Sequence, residues 1–299
     1  MYDRSVSCCA FCGKEPMAKK FEELTFRDNF MFEQVMSDAE LCREVLEVLL
    51  GEPIGKLIPA ESEKTIGYIA DGKQIRLDLL TKDSGSNTVY DTEMQNQNSH
   101  SIEKLALGRR SRYYQSVIDA GLTEKGTDYV DLVNSNVVFI CTFDPFGRGK
   151  YRYTFRSRCD EEPELLLGDG ARRIFFNTES CDPRTPENVK DFFHYIDHGT
   201  GNSSLTKKID ASVKAIRARE DLKMGYWSMN AALQDERRFG REEGREEGRE
   251  EGLFEGKLYT LYSLVNDGVL TTEDAAARLG MTPEEFDEAV KAINTGGTT

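Results

Sequence analysis

Apolar positions recur along this chain with two periods, and the changes of period mark out its elements. Phe30, Met31, Val35 and Met36 follow Thr25 at helical spacing, so a helix capped by Thr25 is predicted to begin near Arg27. Ala39 to Leu50 carries Leu41, Val45, Leu46, Val48, Leu49 and Leu50, and stops at Gly51-Glu-Pro53. Strand patterns follow at roughly Lys64–Ala70, Gln74–Thr81 and Thr88–Gln95, the last two separated by a Gly/Ser/Asn-rich turn from Asp83 to Asn87. Ile102–Ala120 reads as a helix ended by Gly121, and the apolar run Asn136–Phe143 as a buried central strand. Arg152–Ser157 and Arg172–Asn177 are further strands, and Pro186 opens a helix through Ile196. Helices, three strands, a helix and further strands in that order predict an α/β domain with a mixed central sheet flanked by helices.

The rest of the chain reads as a helical C-terminal extension. Ser204 to Phe239 places Leu205, Ile209, Val213 and Ile216 on one stripe. A four-residue repeat follows, Gly240-Arg-Glu-Glu-Gly244-Arg-Glu-Glu-Gly248-Arg-Glu-Glu-Gly252, continuing to Gly256. Each helical Gly costs about 1 kcal/mol relative to Ala, and i,i+3 ion pairs return only about 0.2–0.5 kcal/mol each. The repeat is therefore expected to be a flexible, partly helical connector. Two short helices close the chain, one from Thr272 to Leu279 and one opened by the capping sequence Thr282-Pro-Glu-Glu285. The expected organisation is a disordered leader over 1–17, an α/β domain over 18–200, a helical segment over 201–239, the connector over 240–256 and a small helical tail over 257–299.

Composition narrows the function classes. With 38% hydrophobic and 31% charged residues, and no apolar run near the roughly 20 residues a span needs, the chain is expected to be cytoplasmic with no membrane partner. Seven scattered cysteines suggest reduced thiols, and Cys9-Ala-Phe-Cys12 lacks the second pair a zinc site needs. The net charge of −14 opposes nucleic-acid binding overall. Basic residues nevertheless concentrate between positions 104 and 173, beginning with Lys104, Arg109, Arg110 and Arg112, and form a candidate nucleic-acid-binding face. The tail, with three basic and seven acidic residues from Lys257 onward, reads instead as a cap or a homo-oligomerisation unit.

The chemistry is carried by two carboxylates on neighbouring predicted strands. Asp78 lies in an otherwise apolar run, Ile75, Leu77, Leu79 and Leu80, where a charge is costly without a partner or an ion. Glu93 lies in Thr88-Val-Tyr-Asp-Thr-Glu93-Met-Gln95, and a hairpin of that length brings the two to one end and face of a sheet. Two such carboxylates make a hard-oxygen site for Mg²⁺ or Mn²⁺, with the Met94 backbone carbonyl as a neutral ligand. A divalent ion held there activates water and neutralises phosphate charge, the requirements of phosphodiester cleavage. Gln95, one pleat beyond Glu93, would hydrogen-bond the attacking water or the scissile phosphate. Nucleases of this layout commonly carry Lys at that place, and Gln positions without supplying charge.

Several segments together carry a family resemblance: Leu24-Thr-Phe-Arg-Asp28-Asn-Phe30-Met-Phe32, Arg76-Leu-Asp78-Leu, Tyr90-Asp-Thr-Glu93-Met-Gln95, Arg110-Ser-Arg-Tyr113-Tyr114, Gly126-Thr-Asp-Tyr129 and Val137-Val-Phe-Ile-Cys-Thr-Phe143, with the Glu-Glu-Gly-Arg repeats and the acidic tail. In this order and spacing, over roughly residues 18 to 293, the chain resembles the Rpn family of recombination-promoting nucleases, often labelled transposases, within the PD-(D/E)XK nuclease superfamily. The resemblance implies a restriction-endonuclease-like core over 18–200 and a metal-dependent DNA endonuclease associated with recombination. Asp78 and Glu93 match the family's metal carboxylates, and Gln95 the place where members also carry Gln. Asp28 matches a family Asp at the start of the first helix, and either approaches the metal or caps that helix. Glu33 reads as a solvated helix face. Arg110 and Tyr114 would face the phosphate, with core packing as the other reading of Tyr114, and Asp91 shares the face of Glu93. The alternative function is a catalytically weak or inactive nucleic-acid-binding or assembly protein that keeps the fold. A cut-and-paste transposase is a third reading, for which the sequence locates no joining chemistry.

Overall fold

The computed structural model describes residues 19–59, 79–96, 101–123, 126 and 128–296. The leader over 1–17, the strand expected at Lys64–Ala70 and the start of the one expected at Gln74–Thr81 lie outside the described residues. Two helices open the fold, α1 (Asn29–Met36) and α2 (Ala39–Leu50). Thr25 does not cap α1. The N-cap position is Asp28, whose carboxylate turns back to accept from Thr25 N (2.8 Å) and Thr25 Oγ1 (2.9 Å), closing the turn before the helix. For α2, Asp38 accepts from the N–H groups of Glu40 and Leu41, and Gly51 takes φ 71°, where a Cβ is disfavoured.

Among the described residues a mixed sheet of six strands follows: β1 (Leu57–Pro59), β2 (Leu80–Asp83), β3 (Thr88–Gln95), β4 (Asn134–Cys141), β5 (Arg152–Phe155) and β6 (Ala171–Asn177), in the spatial order β1-β2-β3-β4-β6-β5. The β1–β2, β2–β3 and β5–β6 pairs are antiparallel, while β3–β4 and β4–β6 are parallel. Parallel neighbours need a crossover, and helix α3 (Ser101–Leu122) supplies the one between β3 and β4. Alternate residues of the central strands therefore face different helices. Val89, Val137, Phe139 and Phe175 face α3, where Leu107, Tyr114 and Ile118 pack on them. On the opposite face Phe176 meets Phe193 of helix α4 (Glu187–His198), with ring centroids 6.4 Å apart. Helix α5 (Ser204–Arg217) packs against α1, α2 and α4.

The chain divides into two compact units, Met1–Tyr226 and Trp227–Thr299. The segment expected as one helix from Ser204 to Phe239 breaks after Arg217, and α6 begins at Glu220. Residues 240–256, expected as a partly helical connector, lie inside α6 (Glu220–Asn266), a helix of 47 residues. Between the glycines every residue from 241 to 251 is Arg or Glu, all strong helix formers, and Arg249 pairs with Glu246 at 2.6 Å. In the second unit, Leu258 of α6 packs with Ala275 and Ala276 of α7 (Thr272–Leu279) and Phe286 of α8 (Pro283–Gly296) in a small core. The expected capping box is formed: Thr282 N donates to Glu285 Oε2 (2.8 Å) and Glu285 N to Thr282 Oγ1 (3.2 Å). Among the described residues no helix is long and apolar enough to cross a membrane.

The β2–β3 turn is organised by the carboxylate of Asp83. It accepts from Gly85 N (2.8 Å), Ser86 Oγ (3.0 Å) and Gly55 N (3.2 Å), and a Cβ on Gly55 would collide with it. Burial alone would raise the Asp83 pKa, but these donors outweigh it and hold the group below the ordinary carboxylate range. A depressed folded pKa stabilises above the unfolded value of about 3.9 and ceases to as pH falls through the folded value. Asp83→Ala should therefore cost about 2 kcal/mol in urea unfolding at pH 7. The gap from wild type should narrow steadily in titrations below about pH 4.

Candidate functional site

Strand β3 lies between an antiparallel neighbour, β2, and a parallel one, β4, so its C-terminal end is the carboxyl edge of a parallel pair. In open α/β sheets, ligands bind outside this edge. Along β3 the alternation puts Val89, Asp91, Glu93 and Gln95 on the α3 face and Tyr90, Thr92 and Met94 on the other. Asp91 is 0% and Glu93 3% exposed. Two carboxylates thus lie buried on one face of one strand, a placement that requires compensation by a cation or by hydrogen bonds.

Helix α3 brings the cation. Arg110 Nη2 lies 3.5 Å from Glu93 Oε2, and Arg110 Nη1 donates to Gln95 Oε1 at 2.7 Å. Nη2 also donates to the Tyr114 hydroxyl at 2.9 Å, one helical turn on. The guanidinium carbon stands 5.4 Å from the Tyr114 ring centroid and 5.6 Å from that of Phe139, the β4 residue registered opposite Glu93. Two aromatic faces therefore hold the guanidinium. The Tyr114 ring packs in the core and its hydroxyl serves the site, so the two readings of this residue both hold. Burial raises the Tyr114 pKa and the Glu93 charge raises it further, against the bond from Arg110.

Gln95 is oriented by this contact. A guanidinium only donates, so the amide must turn its oxygen to Arg110 and leave its NH₂ as a donor. That NH₂ lies 3.4 Å from the Asn96 carbonyl, a long contact for a hydrogen bond. Sequence reasoning passed over Asn96. Its Nδ2 donates to the Arg27 carbonyl (2.7 Å) and lies 3.4 Å from Asn29 Oδ1, tying the end of β3 to the start of α1. The signal was its place directly after Gln95, but a lone Asn at a strand end is too common to stand out.

The remaining expected residues divide. Asp78 lies outside the described residues, as does the side chain of Lys104. The Asp28 carboxylate is engaged by Thr25 and by Lys19 Nζ at 2.7 Å, beside the α1 start that Asn96 grips. Arg109 and Arg112 are exposed, while Arg110 turns inward to the site. Glu33 is partly buried rather than fully solvated, because α1 packs on α2 and α5. Cys141, at the end of β4, offers no nucleophile: burial pushes its thiol up to about 12.

Among the described residues no group of three or more His, Cys, Asp and Glu is placed to hold a metal ion. The described oxygens do have the chemistry of a Mg²⁺ set, because this ion takes one or two carboxylates and completes its shell with water and substrate phosphate. Asp91 and Glu93 are hard donors, and the guanidinium at Glu93 marks a place where positive charge is favourable.

A buried carboxylate kept for chemistry has a distinct stability signature. Glu93→Gln removes one of two like charges from the interior, and the released Arg110, 35% exposed, can turn to water. The variant should be at least as stable as wild type in urea unfolding, by about 0–1 kcal/mol. A loss above about 2 kcal/mol would make Glu93 a structural ion-pair partner. Comparison of the chain with family models, with curated proteins and with solved structures finds no match, so the site's geometry carries the functional argument.

Proposed function

We propose that this protein is a metal-dependent phosphodiesterase acting on DNA, with a restriction-endonuclease-like core. The observation that carries the reading is the buried Glu93 carboxylate at the carboxyl edge of β3, with Gln95 one pleat on and a guanidinium beside both. The order of two antiparallel pairs leading into a parallel β3–β4 pair across a helix accords with it. Glu93 and Asp78 are the proposed carboxylates, with the Met94 carbonyl as a neutral ligand and Asp91 behind Glu93 on the same face. A bound Mg²⁺ or Mn²⁺ would supply Lewis acidity toward the phosphate and lower the pKa of water. Gln95 donates its amide hydrogens to the attacking water or to a phosphate oxygen. Arg109 and Arg112, exposed on α3 next to the site, meet the DNA backbone by charge alone and give no base preference.

A second reading has its own observation. Gln95 stands where an ammonium is common, and its amide positions without neutralising charge. A protein that keeps the fold and holds nucleic acid with little turnover accords with this. Plasmid nicking separates the two. Supercoiled DNA with Mg²⁺ or Mn²⁺ should be nicked by wild type and not with EDTA. Asp78→Ala and Glu93→Ala should each lose at least about 100-fold in rate. Retention of DNA in gel shifts without nicking by wild type would favour the second reading.

A further inference from the structure

We infer that Arg110, reaching across from helix α3, supplies the positive charge at the scissile phosphate that residue 95 of the strand does not. The inference rests on the nuclease reading above and deepens it by assigning the missing cation.

A lysine side chain is one bond longer than glutamine. The tip of a lysine at 95 would extend just beyond the point where the Gln95 oxygen ends, and Arg110 Nη1 stands there, 2.7 Å from that oxygen. The guanidinium also reaches Glu93, as a strand ammonium beside a metal carboxylate would. It is held by the Tyr114 hydroxyl and by the Tyr114 and Phe139 rings, so its direction is set before substrate arrives. It is 35% exposed, so part of it faces outward. Gln95 then acts as a positioning residue for Arg110: its oxygen fixes the guanidinium, and its NH₂, 3.4 Å from the Asn96 carbonyl, is left as a donor. A planar guanidinium matches two phosphate oxygens where an ammonium meets one point.

The test moves the positive charge from the helix to the strand, read by plasmid nicking and by calorimetric titration with Mn²⁺ alone. Arg110→Gln should lose about 100-fold in nicking rate, yet bind Mn²⁺ more tightly, because a cation beside Glu93 is gone. Arg110→Lys should keep most of the rate. Arg110→Gln combined with Gln95→Lys, which returns the charge to the strand, should recover to within about tenfold of wild type. A purely structural Arg110 would weaken Mn²⁺ binding in Arg110→Gln and give no recovery in the double variant, which overturns the inference. Full nicking by Arg110→Gln overturns it while the nuclease reading stands. A wild type that binds but never nicks DNA removes both.

Discussion

The contact between Glu93 and Arg110 is the interaction on which the site depends. A carboxylate 3% exposed on a central strand is tolerable only where the surrounding groups answer its charge, and the answer comes from a helix that follows in sequence. Because the guanidinium is shared among Glu93, Gln95 and Tyr114, one side chain sets the orientation of the others. An apolar pair in place of Glu93 and Arg110 would be simpler to bury, so stability alone gives little reason for this arrangement.

The fold produces the contact by placing the two elements. Parallel pairing of β3 with β4 requires the chain to cross the sheet, and α3 makes that crossing over the odd-numbered face of β3. Its apolar positions, Leu107, Tyr114 and Ile118, fix the rotation of the helix, and that rotation turns Arg110 inward while leaving Arg109 and Arg112 in solvent. Asn96 adds a second restraint, holding the strand end against the start of α1 and bringing the Asp28 turn alongside. The second unit is built separately, on a small core in which capping fixes the start of α8.

Elements bounded by local chemistry were legible in the sequence. Helix α2 ends at Gly51 and α7 at Gly280, both with positive φ, because a Gly after an apolar stripe is a stop signal carried by one residue. The alternation along Thr88–Gln95 placed Glu93, Gln95 and Asp91 on one face. Less visible were features decided by distant partners. Thr25 has the composition of a cap, yet the Asp28 backbone starts α1. Strand β1, at three residues, is too short to show a period, and its pairing with β2 makes it a strand. The glycines of the repeat weigh against a helix, whereas the helix formers between them prevail in α6. In the site, Arg110 was identifiable as a candidate, but its bond to Gln95 spans 15 residues and depends on the rotation of α3, which no local pattern encodes.

The proposed activity requires Glu93 to be a metal ligand. Crystals of the protein soaked in Mn²⁺ and measured at the manganese edge test this directly. An anomalous peak is expected within about 2.5 Å of a Glu93 carboxylate oxygen, with Asp78 on the same ion and Arg110 still bonded to Gln95 and Tyr114. Full occupancy of Glu93 by Arg110, with no peak at the carboxyl edge of β3 at millimolar Mn²⁺, would contradict it and leave the pair as a structural ion pair.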